Sequence, residues 1–477
     1  MTGVTREAGT DAQPAVSVPY RRLTLANSVL GAVIVALDGT VLTIAQPTLR
    51  RDLDASFAEV QWTSTAYLIA VASLLVFAGR LGDRFGHQRV FAWGVLGFGA
   101  ASAGIGLAPG VGWVIALRVV QGVFGALLQP ATLGMLRAAF PPDRLGMPVA
   151  LRTSAIGVAA AAGPLVGGVL VTELGWRAVF FLNVIPALVM GLLALVVRAP
   201  KVGSGSIGHL DTRGAALLAV ALAALVHTLV GIPGHGWTVP GVLGLLVAGA
   251  AGAALVRHER RTPDPLLPPA VLGSATAGAA LGVLVTASAA MMGALFVGSH
   301  LLQDVLGMDP LRTSLVALPG GVMMILGAPL SAVLLRRWGA RPTALTGTLL
   351  LTAGVLVLSA VGPGSPTAVI SGGFLLLGAG FGAVMVTATA VVVRDAPPEA
   401  AGVVGGLQQT AMNIGPTLGV AAAATLLPLA AEPAFWLLAG LSALGAALAG
   451  RMPRPARSPR DGSRSVRNDE DKDVCEP

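Results

Sequence analysis

Two charges stand where a charge is costly. Asp38 is the lone carboxylate in an apolar run that begins near Leu23, and Arg118 is the one basic residue well inside such a run. A charge at the centre of a bilayer costs roughly 2.5–3.5 kcal/mol on insertion scales, so a chain that keeps one there uses it. Burial disfavours the ionised form of a carboxyl, which equips it to take up and release a proton. A guanidinium keeps its charge in any surroundings and could hold the acid ionised until a proton or a cationic substrate competes. The bland alternatives are a permanent structural ion pair, or an arginine that reaches back to the headgroups. Counting ~1.5 Å per residue puts both side chains roughly 8–9 Å below the outer surface, in one layer.

Around this pair stand motifs of lesser cost. Gly79-Arg80-Leu81-Gly82-Asp83-Arg84-Phe85-Gly86-His87-Gln88-Arg89 is a short, basic connection between two apolar runs. Its Gly79, Gly82 and Gly86 permit a tight turn, and Asp83 is suited to capping a helix start or pairing with Arg84 or Arg89. That makes it a candidate conformational latch, the alternative being arginines that only anchor the loop. Gly163-Pro164-Leu165-Val166-Gly167-Gly168 combines a helix kink with small residues that allow close helix contact, a pattern general packing also produces. Gln121, Gln129, Gln408, Gln409 and Asn413 are polar groups for a pathway or for gluing helices together. His227 reads as a hydrogen-bonded helix residue, and Asp304 and Asp309 as solvated acids at a helix edge.

What must position these residues is a membrane. The 477-residue chain is 54% hydrophobic and 11% charged, against about 25% charged residues in soluble domains. Its mean hydropathy is +0.78. The net charge of +8 does not indicate a nucleic-acid partner, because the basic residues occupy short segments between apolar runs. The single cysteine, Cys475, excludes an intrachain disulfide and a cysteine metal site. No removable signal peptide is read in the polar first 22 residues.

Fourteen apolar runs are long enough to span: 23–46, 60–79, 90–108, 112–136, 148–172, 178–197, 214–232, 238–256, 272–302, 314–335, 343–361, 368–393, 401–428 and 433–450. With the N-terminus inside, only Arg50, Arg51, Arg177 and Arg312 of the 31 basic residues fall in outer segments. Arg137, Arg144 and Arg152 count among the inner ones. Both termini are thereby expected in the cytoplasm.

Internal repetition divides the runs. Gly163-Pro164 recurs as Gly415-Pro416, Arg84-Phe85-Gly86 as Arg337-Trp338-Gly339, and Phe124-Gly125-Ala126 as Phe381-Gly382-Ala383, at offsets of 252, 253 and 257. The fold class is therefore all-α and integral to the membrane, with two six-helix bundles and an inserted helix pair. The expected divisions are an N-terminal segment 1–22, a first bundle 23–198, linkers with helices 7 and 8 over 199–271, a second bundle 272–450 and a disordered tail 451–477. A substrate route is expected where the two repeats meet.

The Gly79–Arg89 loop, the segment Arg118-Val119-Val120-Gln121-Gly122-Val123-Phe124-Gly125-Ala126, the Gly163–Gly168 run and Leu37-Asp38-Gly39-Thr40 together resemble the signature motifs of the major facilitator superfamily. They are most similar to its fourteen-helix drug:proton antiporter branch. The resemblance implies proton or cation coupling at Asp38, proton transfer at Arg118 and locking of an outward-facing state by Asp83. It further implies that Asp38 and Arg118 approach each other across a central cavity. Thr43, Ala45-Gln46-Pro47 and His87-Gln88 depart from the usual motifs, and the second half has no match to Asp83 or Arg118.

The expected function is proton-driven export of amphipathic or cationic, antibiotic-like compounds, the alternative being export of a single metabolite or self-made antibiotic. The expected partners are that small molecule, protons and the lipid bilayer, with no nucleic acid and a monomeric chain. The energy source is the proton gradient rather than a cofactor. A channel is disfavoured by the absence of a polar pore-lining series. An enzyme is disfavoured because the inner loops hold no catalytic or metal-ligand cluster.

Overall fold

The computed structural model describes residues 18–196, 210–262, 265–267, 273–308, 310–397 and 400–452. Most of the expected N-terminal segment, most of the first linker, part of the second, Asp309, Cys475 and nearly all of the tail lie outside these residues. Among the described residues the regular structure is helical throughout. The first half comprises α1 (Val18–Asp52), α2 (Phe57–Phe85), α3 (His87–Gly106), α4 (Val111–Ala139), α5 (Gly146–Leu174), the short α6 (Arg177–Phe181) and α7 (Val184–Val196). An antiparallel pair follows, α8 (Thr212–His235) and α9 (Val239–Glu259). The second half comprises α10 (Ala275–His300), α11 (Pro310–Trp338), α12 (Ala340–Ser359), α13 (Thr367–Arg394), α14 (Ala401–Leu426) and α15 (Ala431–Ala449).

Apolar runs in lipid become helices because each backbone group must find its partner within the segment. Their starts and stops are set locally. Ser56 accepts from the Glu59 N–H while the Glu59 carboxylate accepts from the Ser56 N–H, a reciprocal cap that starts α2. Gly86, at φ +90°, ends α2 and starts α3, and Gly339, at φ +85°, does the same between α11 and α12. Both turns need the left-handed backbone that glycine adopts without strain. The repeated Arg-aromatic-Gly triplet is thus one turn used twice.

Of the fourteen long helices, twelve spans are long and apolar enough to cross a membrane on those grounds alone, the broken α6–α7 counting as one. The remaining two are α3 and α14. α3 opens with His87-Gln88-Arg89, and α14 carries Gln408, Gln409 and Asn413. Gln88, Gln408 and Gln409 are buried against neighbouring helices, where Gln88 donates to the Ala194 carbonyl and Gln408 to Thr389 Oγ1.

The repeat appears in the packing. A Cβ on Gly163 of α5 would collide with Thr40 of α1, and a Cβ on Gly415 of α14 would collide with Ser288 of α10. Gly94 meets the backbone of Leu128 as α3 crosses α4, and Gly347 meets that of Gly380 as α12 crosses α13. Equivalent glycines let equivalent helix pairs approach in each half. α8 packs on both α2 and α14, so the inserted pair touches both halves. Leu229 and Ile232 of α8 form an apolar cluster with Ala421 of α14. The halves close on each other at the end that carries Arg80, Arg84, Arg89, Arg336 and Arg337, here termed the arginine-rich end.

Candidate functional site

Asp38 and Arg118 are 2% and 1% exposed. Arg118 Nη1 donates to Asp38 Oδ2 at 2.6 Å, and the other carboxylate oxygen accepts from Gln121 Nε2 and Asn183 Nδ2, each at 3.0 Å. The guanidinium is satisfied in turn. Its Nε donates to the Thr63 carbonyl at 2.9 Å, Nη1 also donates to Gln121 Oε1 at 2.5 Å, and its carbon lies 4.2 Å from the Tyr67 ring centroid. Gln121 Nε2 further donates to Ser102 Oγ at 2.7 Å. Two buried opposite charges, the carboxylate accepting three hydrogen bonds in all, offset each other's desolvation, while losing either would strand the other.

Five spans supply this cluster: α1, α2, α3, α4 and the α6–α7 unit. The helix breaks at Leu182-Asn183, and that break brings the Asn183 amide to the acid. The two charged side chains meet, but not across an open cavity. They are sealed inside the first half, because the contacting groups all come from its own spans. Gln121 belongs to the cluster, whereas the other pathway candidates are placed elsewhere. Gln409 Nε2 donates to Gln129 Oε1, joining α14 to α4 across the halves. Gln408 donates to Thr389 Oγ1, and Asn413 turns back to the Gln409 carbonyl of its own helix.

The second site joins the halves. Asp83 Oδ1 accepts from the Gly402 N–H at 2.6 Å and Oδ2 from the Val403 N–H at 3.1 Å, at the first turn of α14. A carboxylate against exposed N–H groups at a helix N-terminus gains both hydrogen bonds and the helix dipole. Gly79 makes the approach possible, since a Cβ there would overlap the backbone of Gly402. His87 fits between Gly82 and Gly134 and comes within 3.4 Å of Asp83. Arg84 lies over the Phe85 ring at 5.5 Å instead of pairing with Asp83. Arg89 has no ion pair among the described residues.

Replacing Asp83 by Ala removes two charge-assisted hydrogen bonds, each worth about 1.5–3 kcal/mol. The expected outcome is near-normal substrate binding with the closed form depleted about tenfold or more. Labelling rates of single cysteines placed at the two ends would measure it; an unchanged ratio contradicts the latch.

In the Gly163–Gly168 run, Gly163 receives Thr40 and Gly167 receives Val41 and Ile44, so this segment seats α5 on α1 within a turn of Asp38. Pro164 lies inside α5, and nothing crowds Gly168. His227 stacks on Trp62 with centroids 5.5 Å apart, a ring contact in place of the expected hydrogen bond. Asp304 is two-thirds exposed and pairs with His300 at 2.7 Å. Sequence reasoning passed over Asn183, whose signal was an amide in the apolar stretch Phe180–Val184.

Residues 28–420 match the model of the Major Facilitator Superfamily. The chain is 42% identical over 412 residues to the tetracenomycin C resistance and export protein of Streptomyces glaucescens, covering 85% of this chain and 75% of that one. It is 34% identical to the puromycin resistance protein pur8 of Streptomyces alboniger, covering 81% and 78%. It is 30% identical to the multidrug resistance protein Stp of Mycobacterium tuberculosis, covering 88% and 77%. The fold resembles the solved proton:xylose symporter XylE, with a TM-score of 0.63 at 16% identity over 90% of this chain and 95% of that one. The human organic anion transporter MFSD10 gives 0.64 at 17% identity, over 90% and 99%. The chain belongs to the Major Facilitator Superfamily, a family of multi-pass membrane transporters and not of enzymes.

Proposed function

We propose that the protein is a proton-coupled antiporter that exports amphipathic or cationic, antibiotic-like compounds across the cell membrane by alternating access. In this reading all fourteen long helices cross, both termini are cytoplasmic and the arginine-rich end faces the cytoplasm. The chain works as a monomer, with lipid as its solvent and the proton gradient as its energy source.

The observation that carries the coupling is the sealed Asp38–Arg118 pair, held by Gln121 and Asn183. A proton on Asp38 cancels its charge, weakens its bond to Arg118 and biases the packing of α1 against α4. The Gly163–Thr40 contact would pass that bias to α5, which touches the second half. Asp83 holds the arginine-rich end closed until the bias exceeds it.

Cells expressing the protein should accumulate less ethidium and puromycin than control cells, and a protonophore should erase the difference. Equal accumulation would sink export, and a difference that survives the protonophore would sink coupling. A second reading, a dedicated exporter of one self-made antibiotic, is favoured by relatives whose names carry a single compound, tetracenomycin C and puromycin. One compound exported without competition from unrelated drugs would select it.

A further inference from the structure

Arg152 is a buried cation that the coupling cluster does not use. It lies on α5, six residues from Gly146 or about 9 Å from the arginine-rich end. It is 3% exposed, and its Nε is sealed without a partner. Among the described residues no hydrogen bond or ion pair reaches it. Arg118, buried to the same degree, is met by an acid, a carbonyl, an amide and an aromatic ring. A buried guanidinium left bare is costly, so its persistence asks for a partner from outside the described fold.

Its position suggests which. α5 lies along the seam between the halves: Ser154 Oγ, on the face of α5 opposite Arg152, donates to the Ile325 carbonyl of α11 at 2.7 Å. Ala150 packs on Ala332 of α11 in one apolar cluster. Arg152 shares its stripe of α5 with Leu145, two turns away, and Leu145 packs against Val393 of α13 and Leu136 of α4. When the halves part at this end, Arg152 is at the edge of the opening. The nearby acids are engaged: Asp38 is enclosed with Arg118, Asp83 is bound to the start of α14, and Asp395 accepts from Arg394. Two further guanidinium Nε atoms, of Arg21 and Arg137, are sealed without partners at the same end. The seam is therefore suited to a negative group.

We propose that Arg152 is the recognition point for an oxyanion, a carboxylate or an ionised phenol, so that amphipathic acids are among the exported compounds. This rests on the export reading above and names one class within its amphipathic substrates. With the seam open, the hydrated guanidinium can grip an oxyanion through two parallel N–H bonds. Closing with the acid aboard keeps the charge paired, whereas closing empty leaves it bare. The loaded protein thus closes more readily than the empty one, and binding shifts the conformational population.

The test uses the full-length protein in lipid vesicles, with Cys475→Ser and a reporter cysteine, Ala332→Cys, in the seam. Maleimide reaches the reporter only when the seam opens. The probes are 2-naphthoate and anthracene-2-carboxylate, each beside its neutral methyl ester. With Arg152 present, the acids should slow labelling about tenfold and the esters should not. In Arg152→Gln, labelling should be slow without any ligand and indifferent to the acids; Arg152→Lys should restore part of the acid effect. Acids that slow labelling equally in Arg152→Gln, esters that act as well as acids, or no acid effect with Arg152 present would overturn the proposal. A reporter that never labels in any variant would instead overturn alternating access, the reading beneath it.

Discussion

Asp38→Asn should abolish the proposed proton-coupled export while the protein still inserts and folds. Asn keeps the size of Asp but cannot take up a proton, so any step that waits for protonation is lost. Positioned proton transfer commonly contributes 10²–10⁴-fold, and a fall on the order of 100-fold or more is expected in gradient-driven transport. The structure adds a structural cost. Oδ1 accepts from both Gln121 and Asn183 and Oδ2 from Arg118, so every neighbour of the carboxylate is a donor. The Asn NH₂ must therefore face a donor unless a neighbouring amide turns over. The unmade hydrogen bond and the loss of Arg118's counter-charge together cost about 3–5 kcal/mol. Thermal unfolding should show that loss, and transport of a cationic dye at the wild-type rate would remove Asp38 from the coupling step.

Arg118→Ala should lower transport on the order of 100-fold, because removing one partner of a buried ion pair strands the other and costs about 3–5 kcal/mol. Arg118→Lys should fall between the two, since it keeps the charge and loses the fork that serves Asp38, Gln121 and Thr63 together. Transport by Arg118→Ala at the wild-type rate would mean that the pair does not take part in the transport step.

The sequence discloses the coarse plan through period and composition. Apolar runs announced the helices, and two charges within them announced Asp38 and Arg118. The glycine-arginine turn at Gly86 predicted its twin at Gly339. Four things needed coordinates. The side of α1 on which Asp38 lies depends on helix rotation, which apolar run lengths do not encode; the acid faces into one bundle rather than a central cavity. Asn183 and Gln121 contribute through a helix break and a three-residue offset, and an amide in a membrane helix reads equally well as helix glue. Arg152 counted as an inner anchor because an arginine near the end of a span can reach the headgroups. The structure instead buries it, 3% exposed. Asp83 was expected to cap a helix start or pair with a loop arginine; it does cap a helix start, but that of α14, more than 300 positions away, which the sequence did not single out.

The central claim, that Asp38 exchanges protons as substrate crosses, is tested most directly in vesicles containing the purified protein and a pH-sensitive dye. Cationic, neutral and acidic amphipathic compounds are added in turn, with wild type and Asp38→Asn compared at equal protein content. The account predicts proton movement opposite to the exported compound in wild-type vesicles and none above protein-free vesicles with Asp38→Asn. Export by the wild type without proton movement, or an equal proton signal from Asp38→Asn, would contradict it.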